Sequence, residues 1–107
     1  MSTEILMAPP GRLASTFRSL ADQWRAETLF MSSTTEIAMH PSYQRIIGLG
    51  PQVIPLILGE LAKEPGHWFW ALKALTGADP VAPADRGHLP AMTAAWLHWG
   101  RENGWLA

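Results

Sequence analysis

The chain has 107 residues, a formal net charge of −1, 48% apolar and 16% charged residues, and no cysteine. That length suits one domain with one core, able to bury roughly 65% of its unfolded surface, and a charged share below the usual value of about 25% argues against a long solvated tail. The missing cysteines exclude disulfides, thiolate zinc sites and a thiol nucleophile, and the near-neutral charge lacks the signature of a strong nucleic-acid binder.

Residues 1–10 read as a flexible N-terminal lead-in, lacking the cationic start and apolar run of a signal peptide. Residues 11–107 read as a single helical domain. No stretch approaches the roughly 18 apolar residues of a membrane span, so the expectation is a cytoplasmic protein with no membrane partner. From Arg12 onward, Leu13, Phe17, Leu20 and Trp24 recur at helical steps, with Arg18, Asp22 and Arg25 on the face expected to be solvated. The hydroxyl run Ser32-Ser33-Thr34-Thr35 reads as a loop.

His40-Pro41 opens a second helix, since proline suits a first turn whose N–H would have no partner. Tyr43, Ile46 and Ile47 form its stripe, and Gly48-Leu49-Gly50-Pro51 ends it. A third helix starts near Gln52 or Val53 and carries Ile54, Ile57, Leu58 and Leu61 on one face; Glu64-Pro65-Gly66 closes it. The stretch from Trp68 to Thr76 is apolar nearly all round, as a central helix is, with Gly77 as its C-cap. After a proline-bearing loop, a last helix begins near Pro90 and turns Leu89, Met92, Trp96 and Trp99 inward. Trp105 and Leu106 are expected to fold back onto the core. No strict apolar–polar alternation occurs anywhere, so the chain is predicted to be all-α: a compact bundle of about five helices.

Residues 41–76 carry a further pattern. The glycine turn, the run Val53-Ile54-Pro55-Leu56-Ile57 and the following Trp70-Ala71-Leu72-Lys73-Ala74-Leu75 resemble the helical hairpin of a HEAT repeat. HEAT arrays bind other macromolecules and generally need three or more repeats. A single copy therefore implies one HEAT-like helical hairpin braced by flanking helices. The runs His40–Gln44, His67–Leu72 and Trp96–Gly100 are also similar to a group of small uncharacterised bacterial proteins. That likeness implies a bacterial accessory protein and supplies no catalytic residue.

Two features stand out from the helical pattern. Of the six tryptophans, Trp68, Trp96 and Trp99 fall on faces expected to be buried, while Trp70 leaves the stripe, to pack on the first helix or to meet a partner. Glu27 lands on the wheel between Leu20, Trp24 and Met31, where a buried carboxylate would need a partner. It would serve either as a general base with His40 or His67, or as an acceptor at the helix start marked by His40-Pro41. The four histidines lack metal-ligand spacing, and neither a phosphate loop nor a Gly-x-Ser-x-Gly elbow occurs, so no metal, cofactor or catalytic residue is expected. A helix-turn-helix over residues 41–63 would carry Glu60, Lys63 and Glu64 on its second helix, the wrong charge for a DNA groove.

The reading is a non-enzymatic protein–protein interaction module, antitoxin-like, inhibitory or an adaptor. Leu56, Trp70 and Lys73 are its candidate contacts, and its partner is another protein or a second copy. The alternatives are a small-ligand site or enzyme built on Glu27, His40 and His67, and a DNA-binding regulator.

Overall fold

Helix α1 (Pro10–Glu27) opens the part of the chain that the computed structural model describes, residues 10–106. The expected lead-in over residues 1–9 lies outside it. Along α1 the buried positions are Phe17, Leu20, Ala21 and Trp24, followed by Thr28 just past the helix end. Thr28 stops the helix by folding its hydroxyl back to donate to the Trp24 carbonyl at 2.7 Å.

The hydroxyl run after this turn is not all loop. Thr34–Ala38 forms a short helix, α2, because Ser33 caps it, its hydroxyl accepting the Glu36 N–H at 3.3 Å, and because Ile37 and Ala38 reach the core. The Ile37 carbonyl accepts the indole N–H of Trp24 at 2.9 Å and ties α2 to α1. Among the described residues there are thus six α-helices, one more than the apolar period shows, and no strand.

Helix α3 (Pro41–Gly48) begins with proline in its first turn, and Gly50 then takes φ 88° to turn the chain. A single 3₁₀ turn, Pro51–Val53, leads into α4 (Ile54–Lys63). The segment expected as a HEAT-like hairpin bends through 106° here; α3 packs on α1 and α5, and α4 packs on α6. Helix α5 (Phe69–Thr76) ends at Gly77, whose φ of 71° fits the left-handed cap expected of it. Helix α6 (Leu89–Glu102) completes the bundle. Trp105 and Leu106 fold back as expected, both donating their N–H to the Gly100 carbonyl, at 2.8 and 3.2 Å. Gly100 permits the close approach: a Cβ there would lie 2.7 Å from Leu58 Cδ1.

At the centre, Trp68 meets Trp24 at 4.7 Å, Phe17 at 5.7 Å and Tyr43 at 6.0 Å between ring centroids. The Tyr43 hydroxyl donates to the His67 carbonyl and accepts the Ala71 N–H, both at 2.8 Å. Ala71 stands in the first turn of α5, whose N–H groups have no partner within the helix, so a side chain from α3 acts as the cap. Burial raises the phenol pKa and keeps the proton in place. Tyr43→Phe is expected to cost about 1–2 kcal/mol in chemical denaturation, because a buried donor and a carbonyl lose their partner together.

Candidate functional site

The expected contact residues line two different recesses. Trp70 and Lys73 lie on the outer side of α5, lining a groove of about 600 Å³ with Phe69, Ala74, Thr34 and Met92. Trp70 is 42% exposed, while its neighbours Ala71 and Leu72 supply the buried face of α5. Leu56 is half-buried and lines a separate recess with Phe17, Arg18, Pro55 and Gly59. Leu56 therefore lines a different recess from the one that Trp70 and Lys73 share.

The rim of the Trp70 groove is polar and already paired. Lys73 Nζ stands 3.5 Å from Asp79 Oδ2, and Arg86 donates to the same oxygen at 2.8 Å. Arg86 first, then Lys73, holds the Asp79 carboxyl below the usual carboxylate range. After α1, Leu29, Phe30 and Met31 form an exposed apolar turn, with Phe30 96% exposed, and Leu29 and Met31 line a separate recess with Ile37, Pro65 and His67. An apolar side chain so bare is not explained by the packing of this chain alone.

The structure brings Glu27 and His40 together. His40 Nδ1 accepts the Ser42 N–H at 3.0 Å as the N-cap of α3, so in the neutral ring the proton sits on Nε2 and is donated to Glu27 Oε1 at 2.7 Å. Burial of Glu27, however, is corrected: its side chain is 53% exposed. It is the last residue of α1, and Thr28 rather than Glu27 continues the buried stripe from Trp24. The His40 ring, then the Gln23 amide, holds the Glu27 carboxyl below its ordinary value. His67 is exposed, and no hydrogen bond joins its ring to Glu27 or His40 among the described residues. It lies instead beside Arg25, Glu64 and Trp68, with its carbonyl held by Tyr43. The three residues do not form one constellation. Glu27 and His40 bolt the end of α1 to the start of α3.

Among the described residues the buried carboxylate is Glu60, which the sequence shows only as one of three charges, with Lys63 and Glu64, on a helix unsuited to a DNA groove. Its side chain is 8% exposed, and Arg18, Arg25 and Lys63 converge on it. Arg25 donates at 3.0 Å and also lies over the Trp68 ring, 5.6 Å from its centroid. Led by the Arg18 hydrogen bond, these cations hold the Glu60 pKa down at about 2 against the opposing effect of burial. Arg18 and Arg25 are thus not merely a solvated stripe; they fasten α1 to α4.

Among the described residues no three His, Asp or Glu side chains are grouped to hold a metal ion, and no single helix is long and apolar enough to cross a membrane. The chain matches no family model, no curated protein and no solved structure.

Proposed function

We propose that this chain is a non-enzymatic helical module that binds another protein through the groove on α5. The observation that carries the reading is the exposed indole of Trp70 on the wall of an apolar groove with Phe69 and Met92. Tryptophan is the side chain that most often supplies a binding anchor when its surroundings exclude water. Lys73, paired with Asp79 beside the groove, gives it a polar border. An inhibitory, antitoxin-like or adaptor role in the cytoplasm agrees with the resemblance to small bacterial accessory proteins and with a cysteine-free composition.

A photoreactive benzoylphenylalanine placed at position 70 in the producing cell tests the proposal. The expected result is a discrete crosslinked adduct that is absent when the same group replaces Arg101, an exposed residue near the end of α6. Identical patterns from both positions, or no adduct at position 70, would overturn it. Trp70→Ala should leave the far-ultraviolet spectrum unchanged and shift the stability by less than about 1 kcal/mol, because much of the ring is already in water.

A further inference from the structure

The recess beside Leu29 and Met31 encloses about 310 Å³, at the lower end of the roughly 300–1,000 Å³ of small-molecule sites. It shares no lining residue with the groove on α5. Leu29, Met31, Ile37 and Pro65 make its lining largely apolar, and two tryptophans also border it. The two indoles differ in one respect. The Trp24 N–H is spent on the Ile37 carbonyl. The Trp68 N–H donates to no acceptor among the described residues, although Trp68 is only 1% exposed. Nor is it sealed in the core, where the enclosed side-chain atom without a partner, among the described residues, is the Thr93 hydroxyl oxygen. Its N–H edge borders Gly66, which lines the recess: a Cβ on Gly66 would stand 4.0 Å from Nε1. Buried indole N–H groups usually have a hydrogen-bond partner, and here the chain itself supplies none.

Arg25, on the same lining, adds charge. Its guanidinium gives Nη2 to Glu60 at 3.0 Å and lies over the Trp68 ring, while its other N–H groups meet no acceptor among the described residues. Arg18, Arg25 and Lys63 are met by two carboxylates, Glu60 and Asp22, so this cluster keeps positive charge in excess. The Thr28 hydroxyl is committed to the Trp24 carbonyl, and His67 and Glu64 are exposed. We propose that this recess binds a small planar carboxylate, its ring against the apolar lining and its oxygens taking hydrogens from the Trp68 indole and the Arg25 guanidinium. Few polar groups converging in an apolar recess are what orient such a ligand, and a carboxylate makes both hydrogen bonds charge-assisted. Glu64, the one anion of the lining, stands in water, which screens its repulsion. The site goes beyond the docking face on α5 and does not depend on it.

Titrating cinnamate into the isotope-labelled whole chain, followed by the assigned indole N–H resonances, is the direct test. The expected result is a downfield movement of the Trp68 signal that saturates with a Kd of about 0.1–1 mM, as suits so small a ligand. The Trp70 signal, on the other groove, should stay in place. Cinnamamide keeps the ring and a carbonyl acceptor but loses the charge, and should bind about tenfold more weakly. Cinnamylammonium, with the opposite charge, should not bind. Arg25→Gln should bring cinnamate down to the affinity of the amide. Because Arg25 also holds Glu60, Gly66→Leu is the independent variant. A Cβ there meets nothing closer than 3.9 Å, so the circular dichroism should be unchanged while the longer side chain covers Nε1 and abolishes binding. A Trp68 signal that stays still up to about 10 mM cinnamate overturns the site. So does cinnamylammonium binding as tightly as cinnamate, or cinnamate binding undiminished in Gly66→Leu.

Discussion

Trp68→Ala should lower the stability of the fold by about 3–5 kcal/mol, read as the midpoint of urea unfolding followed by circular dichroism. The ring is among the largest fully buried side chains and sits where α1, α3 and the turn before α5 converge. Its removal deletes contacts to Phe17, Trp24 and Tyr43 at once, and it strips the surface on which the Arg25 guanidinium lies. A domain of this size has about 5–15 kcal/mol in total, so the variant stands near the threshold of folding. The melting temperature should fall by more than roughly 12 °C. A loss below about 1 kcal/mol would mean that the aromatic cluster is loosely packed. Trp68→Phe, which keeps a ring in the site, should recover part of the loss.

This centre was largely legible in the sequence, because burial along a helix follows a period set by backbone geometry. Phe17, Leu20 and Trp24 on α1, Ile54, Ile57, Leu58 and Leu61 on α4, and Trp68 with Leu72 at α5 were all expected inside and are buried. Pro41 and Gly77 marked helix boundaries for reasons local to the backbone: a missing N–H and freedom at positive φ. Helix α2 escaped notice because five residues span too little chain to show a period. The Ser33 cap and buried Ile37 that sustain it become evident only when Trp24 has an acceptor on that segment.

The polar residues were read less well, and for one physical reason. A helical wheel separates apolar from polar positions, but it does not say which polar face a neighbouring helix will cover. Arg18 and Arg25 look solvated on α1 until α4 is laid beside them with Glu60 between. Glu27 looks buried only if α1 is continued beyond its last residue. The link between Glu27 and the start of α3 was foreseen in kind, with a difference in the atoms: the carboxylate takes a hydrogen from the His40 ring, and that ring caps the helix. Tyr43 illustrates the same limit. Its stripe position predicted the buried ring, while the two backbone groups that its hydroxyl joins lie 24 and 28 residues along the chain.

Glu60 is where this covered polar face has its largest expected effect. Glu60→Ala should cost about 1.5–3 kcal/mol, the range for hydrogen bonds to a charged group, with Arg18 and Arg25 left on α1 without their shared acceptor on α4. Half-exposed cations can turn to water, which keeps the loss below that of a fully buried pair. The pH dependence has a definite sign. The folded-state pKa of Glu60, about 2, lies below its ordinary value of 4.5, so the unfolded chain takes up the proton first as the solution is acidified. The contribution of Glu60 is therefore complete above that ordinary value, declines below it and is lost as the pH falls through about 2. Urea titrations at a series of pH values should show the acid-side slope of wild-type stability flattened in Glu60→Gln, which keeps the shape and removes the titration. Parallel acid limbs in the two proteins would show that Glu60 is not held ionised by Arg18 and Arg25, and that α1 is fastened to α4 by apolar contact alone.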